Sequence, residues 1–277
     1  MFLDKQIIYK NLGKLFYKLT YSTGLVRSPL MKKFEDQIRK HKDKFIKPGD
    51  AGFCLPKAGV IQINESVEKQ DMALPVEVID HFIEKSCYRA IMNFCICRDS
   101  NKCKDYPRDF GCMFMGEAAK GIHPDLCRSV TKEEARAHVR KSQELGLVSL
   151  AGKAYVDCTW LAIGPHTKLF TVCSCCPCCC VSLVAPYIAP DLIDLFSKMP
   201  GVSVQVGDEC VGCGDCMDAC IYGGIVVKDD RAVITERCLA CGRCAETCPN
   251  KAITVQIDDL DYIKKAIEFL EPRVDVT

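Results

Sequence analysis

Cys210-Val-Gly-Cys213-Gly-Asp-Cys216-Met-Asp-Ala-Cys220 and Cys238-Leu-Ala-Cys241-Gly-Arg-Cys244-Ala-Glu-Thr-Cys248-Pro249 carry the spacing C-x2-C-x2-C-x3-C twice. Three thiolates two residues apart on a tight loop can occupy three corners of an iron–sulfur cubane. The fourth cysteine, carried away on a following helix, reaches the other cluster more easily than its own. The spacing therefore assigns Cys210, Cys213, Cys216 and Cys248 to one 4Fe–4S cluster, and Cys238, Cys241, Cys244 and Cys220 to a second. Zinc is the alternative, but zinc sites normally close on two separated pairs of local ligands.

On these residues the stretch resembles the bacterial two-cluster ferredoxins over about residues 201–257. The second run ends in the Cys-Pro of that family, whereas the first has Ile221 where proline is usual. Gly212, Gly214 and Gly242 suit the close approach of backbone to sulfur. The resemblance implies low-potential one-electron transfer.

With 277 residues, 48% hydrophobic and 26% charged, the chain can bury a core and divide into two domains. Its 22 cysteines are the departure from ordinary composition. Disulfide scaffolds are short and do not pack cysteines this way, so a reducing cytoplasm, that of an anaerobe, is expected. The first residues show no basic region followed by a long apolar run, and no stretch approaches the length of a membrane span. Neither a signal peptide nor a transmembrane helix is expected. Net charge is +1, but residues 1–47 hold twelve Lys/Arg against four Asp/Glu, and residues 208–277 hold fourteen Asp/Glu against eight Lys/Arg. An acidic end of this kind can steer basic redox partners.

Four segments follow: a basic amphipathic helical arm at 1–50, a cysteine-rich domain at 51–200, the ferredoxin unit at 201–258, and a C-terminal helix and tail at 259–277. In the arm, Phe2, Leu3, Ile7, Ile8, Leu12, Leu15, Phe16 and Leu19 recur at helical spacing. Such a helix packs on a protein partner or touches a membrane surface peripherally; a second basic helix is expected at 29–46. Pro75 opens a helix, and Thr131-Lys-Glu-Glu134 is a capping box for another, running to Leu145. Strands are expected at Leu147–Leu150, Ala154–Asp157, Trp160–Ile163 and Lys168–Val172. That order also fits a winged-helix outline, but the pattern is unspecific and no nucleic-acid partner is expected. In the ferredoxin unit, strands are expected at Val202–Val206, Ile225–Val227, Ala232–Ile234 and Ala252–Ile257. A final helix at about 259–270 has Leu260, Ile263, Ile267 and Leu270 on one side. The fold class is α+β, with a mostly helical N-terminal cysteine-rich domain.

Ten further cysteines lie in two blocks, Cys95, Cys97, Cys103 and Cys112, then Cys173, Cys175, Cys176, Cys178, Cys179 and Cys180. Adjacent bare thiols are poor structural residues because they oxidise or scavenge metal. The order C-x-C-R-x4-C-x8-C, a capped helix, C-x-C-C-x-C-C-C and a two-cluster unit is similar to a group of ferredoxin-type proteins of anaerobes. That resemblance, over about 80–257, implies a further iron–sulfur cluster, and one or two, with ligands from both blocks, are expected. Cys97, Cys103 and Cys112 are the leading ligands from the first block, and Cys175, Cys176 and Cys178 from the second. A zinc site made from Cys95 to Cys112 is the alternative. Arg98 could hydrogen-bond a sulfide or sit in a surface ion pair. Isolated Cys54, Cys87, Cys127 and Cys158 read as small hydrophobes, with Cys87 the one to watch. His123 and His166 read as loop histidines.

No Gly-x-Gly-x-x-Gly in a strand–turn–helix context, P-loop, Gly-x-Ser-x-Gly or His-Glu-x-x-His motif occurs, so no nucleotide, flavin or hydrolase site is evident. The expected function is single-electron relay through the two ferredoxin clusters to or from further clusters, docked to a partner oxidoreductase. A reductase, or an activator or maturation protein with a catalytic or transferable middle cluster, is the alternative.

Overall fold

The computed structural model describes residues 40, 43, 46–57, 61–63, 75–183 and 190–277. The expected helix at 1–20, and all but three residues of that at 29–46, lie outside these residues. Strands are β1 (Ala51–Leu55), β2 (Ile61–Ile63), β3 (Arg89–Met92), β4 (Met113–Met115), β5 (Cys127–Ser129), β6 (Val148–Lys153), β7 (Phe170–Cys175), β8 (Phe196–Lys198), β9 (Val202–Val206), β10 (Ile225–Lys228), β11 (Arg231–Ile234) and β12 (Ile253–Ile257). Helices are α1 (Glu77–Lys85), α2 (Ile96–Ser100), α3 (Lys132–Glu144), α4 (Tyr155–Leu161), α5 (Pro190–Ile193), α6 (Asp215–Ala219), α7 (Arg243–Thr247) and α8 (Tyr262–Leu270).

Seven strands form one sheet in the order β5-β3-β4-β7-β6-β1-β8, antiparallel except for the β1–β8 pair. The expectation of a mostly helical N-terminal domain is therefore corrected. Its cause is burial on both faces: β3 is Arg-Ala-Ile-Met, buried from Ala90 on, and β4 is Met-Phe-Met, buried throughout, so neither shows the polar–apolar alternation of a half-exposed strand. The alternation is instead between two cores. Met113 and Met115 join a core with Phe82 and Phe170, while Phe114 between them joins Leu126, Leu161 and Leu169 on the other face.

Helices α1, α3 and α8 supply the first core. Val78, Ile79, Phe82 and Ile83 form the buried stripe of α1. The capping box of α3 closes as expected, Thr131 Oγ1 accepting from the Glu134 amide at 3.2 Å and Glu134 Oε2 from the Thr131 amide at 2.8 Å. In α8 the buried residues are Tyr262, Ala266 and Leu270, with Leu260 exposed, a rotation from the expected face. Phe82 stacks on Phe170, ring centroids 4.2 Å apart, and is 1% exposed. Phe82→Ala is expected to cost about 3–5 kcal/mol through lost burial and a cavity. A thermal midpoint unchanged by circular dichroism would contradict this packing account.

The expected strands at Ala154–Asp157 and Trp160–Ile163 are instead α4 and its C-terminal end, where Ala162 turns left-handed (φ +54°). This removes the winged-helix outline. The remaining strands of the C-terminal segment form where expected. β12 lies between β9, antiparallel, and β2, parallel, so a strand from residues 61–63 completes the sheet of the ferredoxin-like segment. β10 and β11 form a hairpin. Among the described residues no helix is long and apolar enough to cross a membrane.

Candidate metal centres

The two cysteine runs fold into matching units. Each places its glycine, Gly214 (φ +93°) or Gly242 (φ +85°), at the N-cap of a five-residue helix, α6 or α7. That left-handed backbone strains any residue with a side chain, whereas glycine adopts it at little cost. Each helix then ends with the last cysteine of its run, Cys220 or Cys248, as C-cap. The helices pack together and carry these two cysteines across to the opposite units. One cavity is lined by Cys210, Cys213, Cys216 and Cys248, and a second by Cys220, Cys238, Cys241 and Cys244.

Residues 203–249 match the family of 4Fe-4S dicluster domains. The dicluster segment is thus an iron–sulfur, ferredoxin-like domain with the capacity for electron transfer. No curated protein and no solved structure matches the chain significantly.

The residues of the segment fit such clusters. Backbone amides already point at the sulfurs: Ala232 N–H to Cys210 at 3.3 Å, Ala252 N–H to Cys248 at 3.3 Å, Gly224 N–H to Cys220 at 3.2 Å and Ala240 N–H to Cys238 at 3.4 Å. Amide donors favour thiolate over thiol, and those of Ala232 and Gly212 hold Cys210 below its ordinary pKa. Around a cluster the same bonds spread negative charge and tune its potential.

The sheet determines what faces the second tetrad. In β1 and β7, side chains alternate, so Cys54, Cys173 and Cys175 share the face opposite Phe53, Phe170 and Val172. On that face Cys54, Cys175 and Cys180 are buried with Ile221, Tyr222, Leu239 and Cys241 of the dicluster segment. Cys54, which the sequence presents as an isolated small hydrophobe, hydrogen-bonds the Cys241 sulfur. That bond, with the charge of Arg243 assisting, holds Cys241 down at about 6.

Arg243 is the residue sequence reasoning missed. It is 4% exposed, and its Nη2 donates to the Cys175 carbonyl. Its Nε and Nη1 have no nitrogen or oxygen acceptor, while Cys241, Cys175 and Cys180 lie within electrostatic reach. A buried guanidinium with idle donors amid thiols fits an anionic sulfur group beside it. The sequence signal was available, since Arg243 sits inside the second run between Gly242 and Cys244.

The ten middle cysteines separate into two groups. Cys112 and Cys173 approach to 3.6 Å between sulfurs, continuing the β4–β7 register, and Cys95 with Cys97 and Cys175 with Cys180 form further hydrogen-bonded pairs. Cys97 senses Cys180 and Cys112, which ties these six together. Hydrogen bonding from Cys97 lowers Cys95 to about 6, and from Cys175 lowers Cys180 to about 7. Cys103, Cys176, Cys178 and Cys179 form the other group. The leading set Cys97, Cys103, Cys112, Cys175, Cys176 and Cys178 is thus divided between the two.

Arg98 is neither on the surface nor paired with a carboxylate. It is 1% exposed and donates to the carbonyls of Pro107 (2.8 Å), Ser174 (2.7 Å) and Phe110. It therefore ties the backbone of the first cysteine block to that of the second. Cys87 is exposed, and Cys127 and Cys158 are buried, Cys158 being pushed up to about 12 by burial. His123 accepts from the Asp125 amide in a loop, whereas His166 opens a 3-10 turn (His166–Lys168) and meets the edge of Tyr155.

Proposed function

We propose that this chain is an iron–sulfur electron-transfer protein or subunit. Cys210, Cys213, Cys216 and Cys248 hold one 4Fe–4S cluster, and Cys238, Cys241, Cys244 and Cys220 a second. A third is held by thiols drawn from Cys95, Cys97, Cys112, Cys173, Cys175 and Cys180. When bound, such clusters supply single-electron transfer over a wide span of potentials.

The observation that carries this reading is the shared wall between Cys175, Cys180 and Cys241, with Arg243 bonded across it. The chain holds the sulfurs, directs amides and Arg243 at them, and excludes water with Tyr222, Leu239 and Leu150, all buried. The dicluster end, rich in Asp and Glu, docks a basic partner oxidoreductase in a reducing cytoplasm.

The test is the metal content of protein purified without oxygen. Three clusters give about twelve irons and twelve acid-labile sulfides per chain, and about eight of each would eliminate the third. An Arg243→Gln variant separates charge from packing. It is expected to shift the potential of the cluster at Cys241 while leaving the iron count unchanged. An unshifted potential would count against that neighbourhood.

A further inference from the structure

We propose that Cys103, Cys176, Cys178 and Cys179 hold a single tetrahedral metal ion, zinc or a lone iron, and not an iron–sulfur cluster. Their four sulfurs all lie within 4.8 Å of one another, and Cys103 and Cys178 approach to 3.6 Å. Four thiolates about 2.3 Å from one zinc stand about 3.8 Å apart, so the set needs only a small contraction to close on an ion. A disulfide would need sulfurs at about 2 Å, much closer than this pair.

A cubane makes the opposite demand. Each of its thiolates binds a different iron, so four must ring a core of iron and sulfide. The tetrads of the dicluster segment ring cavities in that way. The Cys103 group converges on a point instead. Among the described residues no other set of potential ligands is drawn together so tightly.

The local chain builds this geometry. Cys103 follows α2, held by its amide to the Arg98 carbonyl at 2.9 Å, and the amides of Asp105 and Tyr106 are directed at its sulfur. Cys176, Cys178 and Cys179 come from the turn across Pro177 that ends β7. Asn101 bridges the two pieces, donating to the Cys97 carbonyl at 2.9 Å and the Cys179 carbonyl at 3.5 Å. Leu147 is buried with Cys176 and Cys179, and Tyr106, Phe110 and Leu145 pack against them.

Loading a divalent ion displaces four thiol protons to solvent and leaves a tetrathiolate of net charge −2. The cation to offset it is in place, since the Arg98 guanidinium hydrogen-bonds Cys176. With all four positions filled by protein sulfur the ion has no open site, which makes it a staple joining the two cysteine blocks. This reading is independent of the three clusters, because it uses none of their ligands.

The full-length protein, purified without oxygen, is analysed for zinc, iron and sulfide alongside Cys178→Ser and Cys179→Ser. The expected result is one metal ion per chain in excess of matched iron and sulfide, lost in both variants. Iron and sulfide in equal numbers, with the electron paramagnetic resonance of the dicluster segment, should remain. Loss of iron and sulfide together, or no change in metal, would overturn the proposal. X-ray absorption of the unmutated protein decides the matter even if the variants fail to fold. Sulfur neighbours at about 2.3 Å around zinc support it, and zinc lacking from the protein together with iron wholly matched by sulfide refutes it.

Discussion

Cys248→Ala is expected to remove the cluster held by Cys210, Cys213 and Cys216 and to spare the one held by Cys238, Cys241 and Cys244. Cys248 belongs by sequence to the second run, yet it lines the cavity of the first, and the Ala252 amide is already set to support its sulfur. Loss of one cubane would lower the count by about four irons and four sulfides. Reduced protein would then show the spectrum of one isolated cluster where two interacting ones are expected. The decisive detail is which cluster survives. Cys220→Ala supplies the mirror experiment, since Cys220 lines the cavity of Cys238, Cys241 and Cys244. Survival of the Cys210 cluster in Cys248→Ala, with loss of the other, would reverse the crossed assignment.

Arg98→Met, in α2, is expected to be among the most destabilising single changes in the part of the chain built on the seven-stranded sheet. Three backbone carbonyls, those of Pro107, Phe110 and Ser174, take charged donors from this one side chain. Bonds to a charged group contribute about 1.5–3 kcal/mol each, so losing all three takes a large part of a total stability of about 5–15 kcal/mol. Ser174 lies between Cys173 and Cys175, so the damage should extend to metal bound by the middle cysteines. Arg98→Lys keeps the charge but not the planar fork, and one ammonium cannot serve three carbonyls in the same directions. Both variants should therefore lower the thermal midpoint and the metal content. Full recovery with lysine would assign Arg98 an electrostatic role only.

What could be read from the sequence follows what sequence encodes locally. The dicluster segment was legible because the spacing of its two cysteine runs is local, and the α3 helix because Thr131 and Glu134 cap each other three residues apart. The α4 helix was not. Its first amide, that of Tyr155, is accepted by Asp50 at 3.0 Å, a partner more than a hundred residues away in sequence. Without a local cap, Ala154–Ile163 reads as two strands. The division of the middle cysteines was hidden for a related reason. Cys173 to Cys180 looks like one block, but β7 ends at Cys175, and the turn across Pro177 sends Cys176, Cys178 and Cys179 toward Cys103. Cys54 acquires its meaning only from strand pairing, which sets it opposite Leu150 on the face that receives Cys241.

The order of synthesis gives the first core an unusual property. Tyr262, Ala266, Leu270, Val274 and Val276, from the last turns of the chain, are buried together with Phe53, Val78, Ile79 and Phe82 from its first described helix and strand. The Val276 carbonyl also accepts from the Cys87 amide at 2.8 Å. A nascent chain ordinarily folds its N-terminal part as it emerges. Here that part lacks residues 262–276 of its core until they too have been made, and every cysteine run is made before them. The opposite face, where Cys175, Cys180 and Cys241 meet, uses none of these residues, so its packing does not wait for them.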